Sequence, residues 1–166
     1  LEESHQMVPV SSEFPRVAES DLIAAHQEFG GTGDSIEVGF TYLLVDTGQY
    51  AILFDSGRGG GGLLESLSEA GYPAEKINAI VVTHGDGDHV GGLMDFPNAH
   101  FIYPEVAYKW WMDPSSREHL KQEFASTFAN ILSADGLAKA IEGREKYGAE
   151  TLPLLGGRLN LVREGE

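Results

Sequence analysis

Apolar and polar residues alternate from Ile36 to Val45, the period of a half-buried strand, and we read this stretch as one β-strand. Asp46-Thr47-Gly48-Gln49 supplies turn residues, and Tyr50 to Phe54 returns as the second arm of a hairpin. The period then becomes helical: Leu63, Leu64, Leu67 and Ala70 share a face, and Gly71 stops the helix. Pro73 to Ile77 reads as a short helix. Ala79 to Thr83 is an almost unbroken apolar run, as a buried strand requires. His100 to Tyr103 is a further short strand, and Pro104 suits the first turn of a helix running to Met112. Ser115 to Leu132 predicts a helix with Phe124, Phe128, Ile131 and Leu132 on one face. Ala134 to Tyr147 predicts another, broken near Gly143, and Leu159 to Val162 a last strand. Ahead of the hairpin the pattern is weaker. Leu1 to Met7 reads as a remnant outside the fold, Val8 to Phe14 as extended or irregular chain, and Glu19 to Phe29 as a short helix or edge segment. Gly30 to Asp34 is a loop. Strands first, then alternating strand, helix and loop, predict an α/β fold.

At 166 residues the chain fits one domain with a real core. The formal net charge of −15 argues against binding nucleic acid or an acidic membrane through a basic face. No apolar run reaches the roughly 18 residues of a membrane span, and no basic-then-apolar leader is visible. The expectation is a cytoplasmic chain, with secretion as the alternative, and small molecules as its partners. With no cysteine, disulfides and thiolate metal ligands are excluded.

The chemistry concentrates in Val81-Val82-Thr83-His84-Gly85-Asp86-Gly87-Asp88-His89-Val90-Gly91-Gly92. His84, Asp86, Asp88 and His89 fall within six positions, directly behind a buried strand and ahead of a glycine pair. The strand fixes the loop, and glycines let it crowd one point. Imidazole with carboxylate suits zinc, iron or manganese better than calcium. His84 and Asp86, two apart, can point to one side of an extended segment. Asp88 and His89 can face a second point, and such a layout serves two metals about 3.5–4 Å apart. A competing pattern lies upstream. Gly57-Arg58-Gly59-Gly60-Gly61-Gly62 satisfies the dinucleotide fingerprint, after a strand and before a helix. Asp55 opposes that reading, since its charge would repel a pyrophosphate, and a turn over the histidine-rich loop is the better role.

The motif resembles the metal-binding signature of the metallo-β-lactamase superfamily, His-x-His-x-Asp-His, commonly preceded by Thr and followed by x-Gly-Gly. Asp86 stands where the second His usually sits. The hairpin of Phe40 to Gly48 and Tyr50 to Gly57 resembles the family's early hairpin with its Asp-x-Gly turn. Asn98 to Trp111 resembles the strand and helix after the motif, especially in lactonase-like and organophosphate-hydrolase-like branches. The resemblance spans roughly residues 36 to 112 and implies an αββα sandwich. It implies that His84 and Asp86 belong to a first metal site, Asp88 and His89 to a second, and that Asp55 supports the loop by hydrogen bonds. A carboxylate at Asp86 favours iron or manganese relative to zinc, which the family otherwise favours. The family completes its site from a later half-fold. Here His100 and His119 lack that context and read as structural or exposed. The chain therefore reads as a single, C-terminally truncated domain, residues 1–166, corresponding to the N-terminal half. Such a half exposes an apolar face and calls for a homo-oligomer or a complementing C-terminal half.

The expectation is a metal-dependent hydrolase with two divalent ions, zinc first. A metal-activated water attacks a small ester or lactone, with thioester, phosphoester and lactam as further classes. Asp88 is the candidate catalytic residue, orienting or deprotonating the water. Tyr103, Tyr108, Trp110 and Trp111 read as core or as a substrate wall. With Phe124 and Phe128 they belong to a possible helical lid, residues 104–148. Two other classes stand beside this one: a flavodiiron-like oxidoreductase domain, and a non-catalytic half-fold that pairs with a partner.

Overall fold

The computed structural model describes residues 1–14, 16–128, 132–163 and 165. The chain runs β1 (Glu2–Pro9), α1 (Val10–Glu13), α2 (Glu19–Glu28), β2 (Ser35–Thr41), β3 (Leu43–Asp46), β4 (Ala51–Phe54) and α3 (Gly62–Glu69). It continues through β5 (Ala79–Val81), α4 (Gly87–Val90), β6 (His100–Pro104), α5 (Glu105–Met112), α6 (Pro114–Phe128), α7 (Ala134–Lys146), α8 (Leu152–Leu155) and β7 (Leu159–Val162). Five strands form a mixed sheet in the order β3-β4-β5-β6-β7, antiparallel between β3 and β4 and parallel thereafter. Helices flank it, as an α/β sandwich requires. Among the described residues no helix is long and apolar enough to cross a membrane.

The register explains the core. Leu53, Ile80, Phe101 and Leu159 lie in one row across the sheet, and the first three are fully buried. Leu63 and Leu67 of α3, with Leu93, Phe96, Trp111, Tyr147, Leu152 and Leu155, join the same core. The next row, Phe54, Val81 and Ile102, points to the opposite face and is only half-buried.

Several expectations are corrected. The stretch Ile36 to Val45 is two strands in two sheets, because Tyr42 breaks it. Its side chain is buried and its N–H donates to the Leu1 carbonyl instead of a neighbouring strand. Leu1 to Met7 is no remnant outside the fold: β1 pairs antiparallel with β2 from Glu2 opposite Thr41 to Pro9 opposite Ser35. Val10–Glu13 forms a helical turn, and Glu19–Glu28 takes the helical alternative. Pro73 to Ile77 narrows to a 3₁₀ turn at Ala74–Lys76. Gly143 does not break α7, which runs on to Lys146; a π-helical turn, Tyr147–Thr151, carries the chain into α8. The helix predicted to Leu132 is described to Phe128, and its Ile131 lies outside the described residues.

Candidate metal centre

The parallel strands β4 and β5 end side by side, and both lead into the candidate site. Asp55 follows β4 directly, and its N–H donates to the Val81 carbonyl at 2.9 Å. It is the only non-glycine residue with positive φ (63°) among the described residues, a conformation aspartate tolerates better than most side chains. That turn aims a buried carboxylate at the loop after β5. Oδ1 accepts from the Thr83 N–H at 2.8 Å, and Oδ2 accepts from the Thr83 hydroxyl at 2.7 Å. Oδ2 also lies 2.7 Å from His89 Nδ1.

These bonds fix the protonation pattern of both imidazoles. A carboxylate only accepts, so His89 carries a proton on Nδ1, and in the neutral ring Nε2 is the lone pair. The Thr83 proton goes to Asp55, so the Thr83 oxygen accepts from His84 Nδ1, 2.9 Å away, and in the neutral ring His84 Nε2 is likewise the lone pair. A hydrogen bond to the other ring nitrogen is the usual way a protein orients a metal-binding histidine. Asp55 acts here on both.

The four sequence-predicted ligands lie as two His–Asp pairs on the loop after β5. His84 Nε2 lies 3.6 Å from Asp86 Oδ2, and His89 Nε2 lies 3.3 Å from Asp88 Oδ2. Two ligand atoms held by one tetrahedral ion at about 2.0–2.2 Å are separated by about 3.3–3.6 Å, so each pair has the spacing of a shared ion. The two imidazoles face each other with centroids 3.8 Å apart. Among the described residues, however, no group of three or more His, Asp or Glu side chains is gathered as a metal ion needs. His100 and His119 are exposed and stand outside this loop, as their sequence context suggests.

The surroundings are built by backbone contact. Asp86 begins α4, whose short turn sets Asp88 and His89 back toward β5. The His89 carbonyl accepts from both Ser56 N–H (2.7 Å) and Ser56 hydroxyl (3.0 Å). Tyr42 shares its hydroxyl proton between the Asp88 carbonyl (2.8 Å) and Glu3 Oε2 (2.9 Å). Burial, then Glu3, pushes this phenol above the usual tyrosine range and keeps it a donor. Gly57 to Gly62 forms the turn over this loop: Gly92 N–H donates to the Gly57 carbonyl at 3.3 Å. A Cβ on Gly92 would meet Ser56 O at 2.3 Å, and one on Gly91 would meet Arg58 O at 2.3 Å. These are rigid backbone atoms. Gly92→Ala is expected to cost about 3 kcal/mol in urea unfolding, the upper range for overpacking. Gly87→Ala, with open space around the new methyl, is the matched control and should stay within about 0.5 kcal/mol. Equal stabilities would refute the close-approach account.

The aromatic cluster divides. Tyr103 and Trp111 are core, tied together by Tyr147: the Tyr103 and Tyr147 hydroxyls are 2.8 Å apart, and Trp111 meets the Tyr147 ring edge-on at 5.1 Å. Burial pushes the Tyr103 phenol up to about 12. Trp111 also backs the loop at Gly85, where its Nε1 leaves no room for a Cβ. Phe124 and Phe128 instead line a cavity of about 550 Å³ that reaches Asp86. Arg144 of α7 lines this cavity and a second one, of about 330 Å³, beside Gly85 and Gly87. Sequence reasoning passes over Arg144, because nothing local relates α7 to a loop more than fifty positions earlier.

Comparison with known proteins places the fold. Residues 36–157 match the family model described as the metallo-beta-lactamase superfamily. A probable metallo-hydrolase of Mycobacterium tuberculosis is 38% identical over 56 residues, covering 33% of this chain and 18% of that protein. Metallo-beta-lactamase domain-containing protein 1 of Mus musculus is 29% identical over 140 residues, covering 60% of this chain and 54% of its own. The chain thus spans about half, or less, of the length of these curated relatives. Among solved structures, the dizinc quorum-quenching lactonase AidC superposes with a TM-score of 0.77 at 22% identity, over 99% of this chain and 57% of that one. The hydrolase AbOPH superposes with a TM-score of 0.73 at 20% identity, over 100% and 57%. At such identities the likeness is one of fold. With the family model matched across most of its length, this chain belongs to the metallo-β-lactamase superfamily.

Proposed function

We propose that the chain carries the metal-binding loop of a hydrolase that attacks a small ester or lactone with activated water. The supporting observation is the buried Asp55 carboxylate with Thr83, which together engage Nδ1 of both His84 and His89 and leave each Nε2 beside a carboxylate. His84 with Asp86 would hold one divalent ion, and Asp88 with His89 a second. Each ion would need further ligands beyond its His–Asp pair. Zinc is the leading metal, and the carboxylate of Asp86 admits iron or manganese. Such ions supply Lewis acidity and draw the pKa of water toward neutrality. Asp88, half-exposed beside His89, orients the attacking water and takes its proton. Tyr42 holds the Asp88 backbone in place through its carbonyl. The ester or lactone class draws on the AidC lactonase, described in complex with an N-acyl homoserine product. Helices α5–α7 serve as the lid over the substrate. The cavity wall of Phe124 and Phe128 beside Asp86 supports that placement. Thioesters, phosphoesters and lactams fit the same chemistry less closely.

The test is elemental analysis of the purified chain, with hydrolysis of 4-nitrophenyl acetate followed before and after chelation. At least one divalent ion per chain is expected, and its removal by EDTA should abolish hydrolysis. A chain without bound metal, or hydrolysis that survives chelation, overturns the reading.

A further inference from the structure

We infer that Arg144 is the anion-binding residue of the cavity beside Asp86, and that this cavity selects ligands with an apolar arm ending in a carboxylate over neutral ones. The inference rests on the hydrolase reading for its meaning, since it names the class of substrate or product the site retains.

The apolar part of the wall is Phe14, Val17, Leu120, Phe124 and Phe128, and its volume of about 550 Å³ falls in the range of small-molecule sites. Arg144 is half-buried at this wall. Its guanidinium stacks on the Phe124 ring, with Cζ 4.0 Å from the centroid. Its hydrogen bond among the described residues runs from Nη1 to the Ala140 carbonyl, a marginal contact at 3.3 Å. No carboxylate pairs with it among the described residues, although the chain carries 26 Asp and Glu against 11 Lys and Arg. In so acidic a protein, a partly desolvated guanidinium without an acid partner is unusual. Five N–H donors in a planar fork with one weak acceptor leave an edge suited to a carboxylate.

The other charges on the wall do not satisfy it. Arg16 and Glu123 pair with each other at 3.7 Å. Asp86 turns to His84 at 3.6 Å, and Glu13 is exposed. Arg144 shares this cavity with Asp86 and the second one with Gly85 and Gly87, so the guanidinium stands beside the candidate metal loop. A ligand seated on Arg144 would thus lie within reach of the loop where the proposed chemistry occurs. Phe124 and the arginine stem hold the fork flat, which reduces the ordering cost of binding.

Calorimetric titration with octanoate and with octanamide, its neutral counterpart, tests this. Wild type should bind octanoate at least about 10-fold more tightly, the effect of a charge-assisted bidentate contact. Arg144→Met keeps a stem to cover Phe124 and should erase the preference by weakening octanoate alone. Arg144→Lys, which keeps charge without the fork, should retain part of it. Equal binding of the two probes by wild type, no binding of either, or an unchanged preference in Arg144→Met overturns the inference. If Arg144→Met fails to fold, the wild-type comparison and Arg144→Lys still decide. Binding needs no turnover, so the two readings fail separately. Hydrolysis without octanoate preference sinks this inference alone, and octanoate preference without any hydrolysis sinks the functional reading alone.

Discussion

Asp55→Ala should lower the unfolding free energy by about 3–5 kcal/mol, the cost of removing one partner from a buried charge network. The carboxylate is 6% exposed and accepts from the Thr83 N–H, the Thr83 hydroxyl and His89 Nδ1. Its removal takes the acceptor from the Thr83 N–H, the Thr83 hydroxyl and the half-buried imidazole N–H. The backbone adds to this: alanine at φ 63° is strained by about 1–2 kcal/mol. Asp55→Asn separates the two roles. Asparagine accepts the left-handed backbone and keeps an acceptor for Thr83 N–H, so only about 1–3 kcal/mol is lost. Its amide nitrogen, however, replaces the acceptor facing His89 Nδ1. The imidazole answers by moving its proton to Nε2, the nitrogen a metal needs. Metal affinity should then fall by about 10–100-fold in a variant that still folds. Urea unfolding and a metal titration against a competing chelator measure the two effects. An Asp55→Asn chain that binds metal as wild type does would show that Asp55 sets no tautomer.

How much of this could be read from the sequence depends on how local each feature is. The candidate loop was legible because its four His and Asp side chains lie within six positions and its glycines mark a close approach. The structure gives that approach a partner, the backbone of Ser56 and Arg58. The buried strand β5 was legible because a sheet covered by helices demands apolar runs such as Ala79 to Val82. The break at Tyr42 was not. Alternation continues through it, and only the Leu1 carbonyl and the Asp88 carbonyl, 41 and 46 positions away, explain why that residue leaves one sheet and enters another. Leu1 to Met7 looked dispensable because its pattern is polar. Its value lies in backbone pairing with β2 and in Glu3, which accepts from the Arg58 N–H and from Tyr42. Arg144 was invisible for the same reason. Its meaning comes from the loop it faces across the cavity, and no local period records that.

His84→Ala and His89→Ala should give different results, and the difference tests whether these imidazoles are ligands or merely polar loop residues. Each removes one free Nε2, so each should weaken metal binding by more than about 100-fold, beyond the loss seen when only a supporting hydrogen bond is removed. The double variant should retain no stoichiometric metal and no chelator-sensitive hydrolysis. Stability should not follow the same order. The His84 side chain is 50% exposed, and its truncation should cost less than about 1 kcal/mol. The His89 side chain is 27% exposed and gives Asp55 one of its charge-assisted hydrogen bonds, so its loss should cost about 1.5–3 kcal/mol. A ligand role therefore predicts that the two variants match in metal loss and differ in stability. A purely structural role predicts that only His89→Ala matters, with His84→Ala indistinguishable from wild type in both measurements. Metal content unchanged in the double variant would remove these histidines from the site altogether. Elemental analysis beside urea unfolding of the same three variants distinguishes the cases, because the two histidines share a hydrogen-bond chain through Thr83 but only one of them rests on the buried carboxylate.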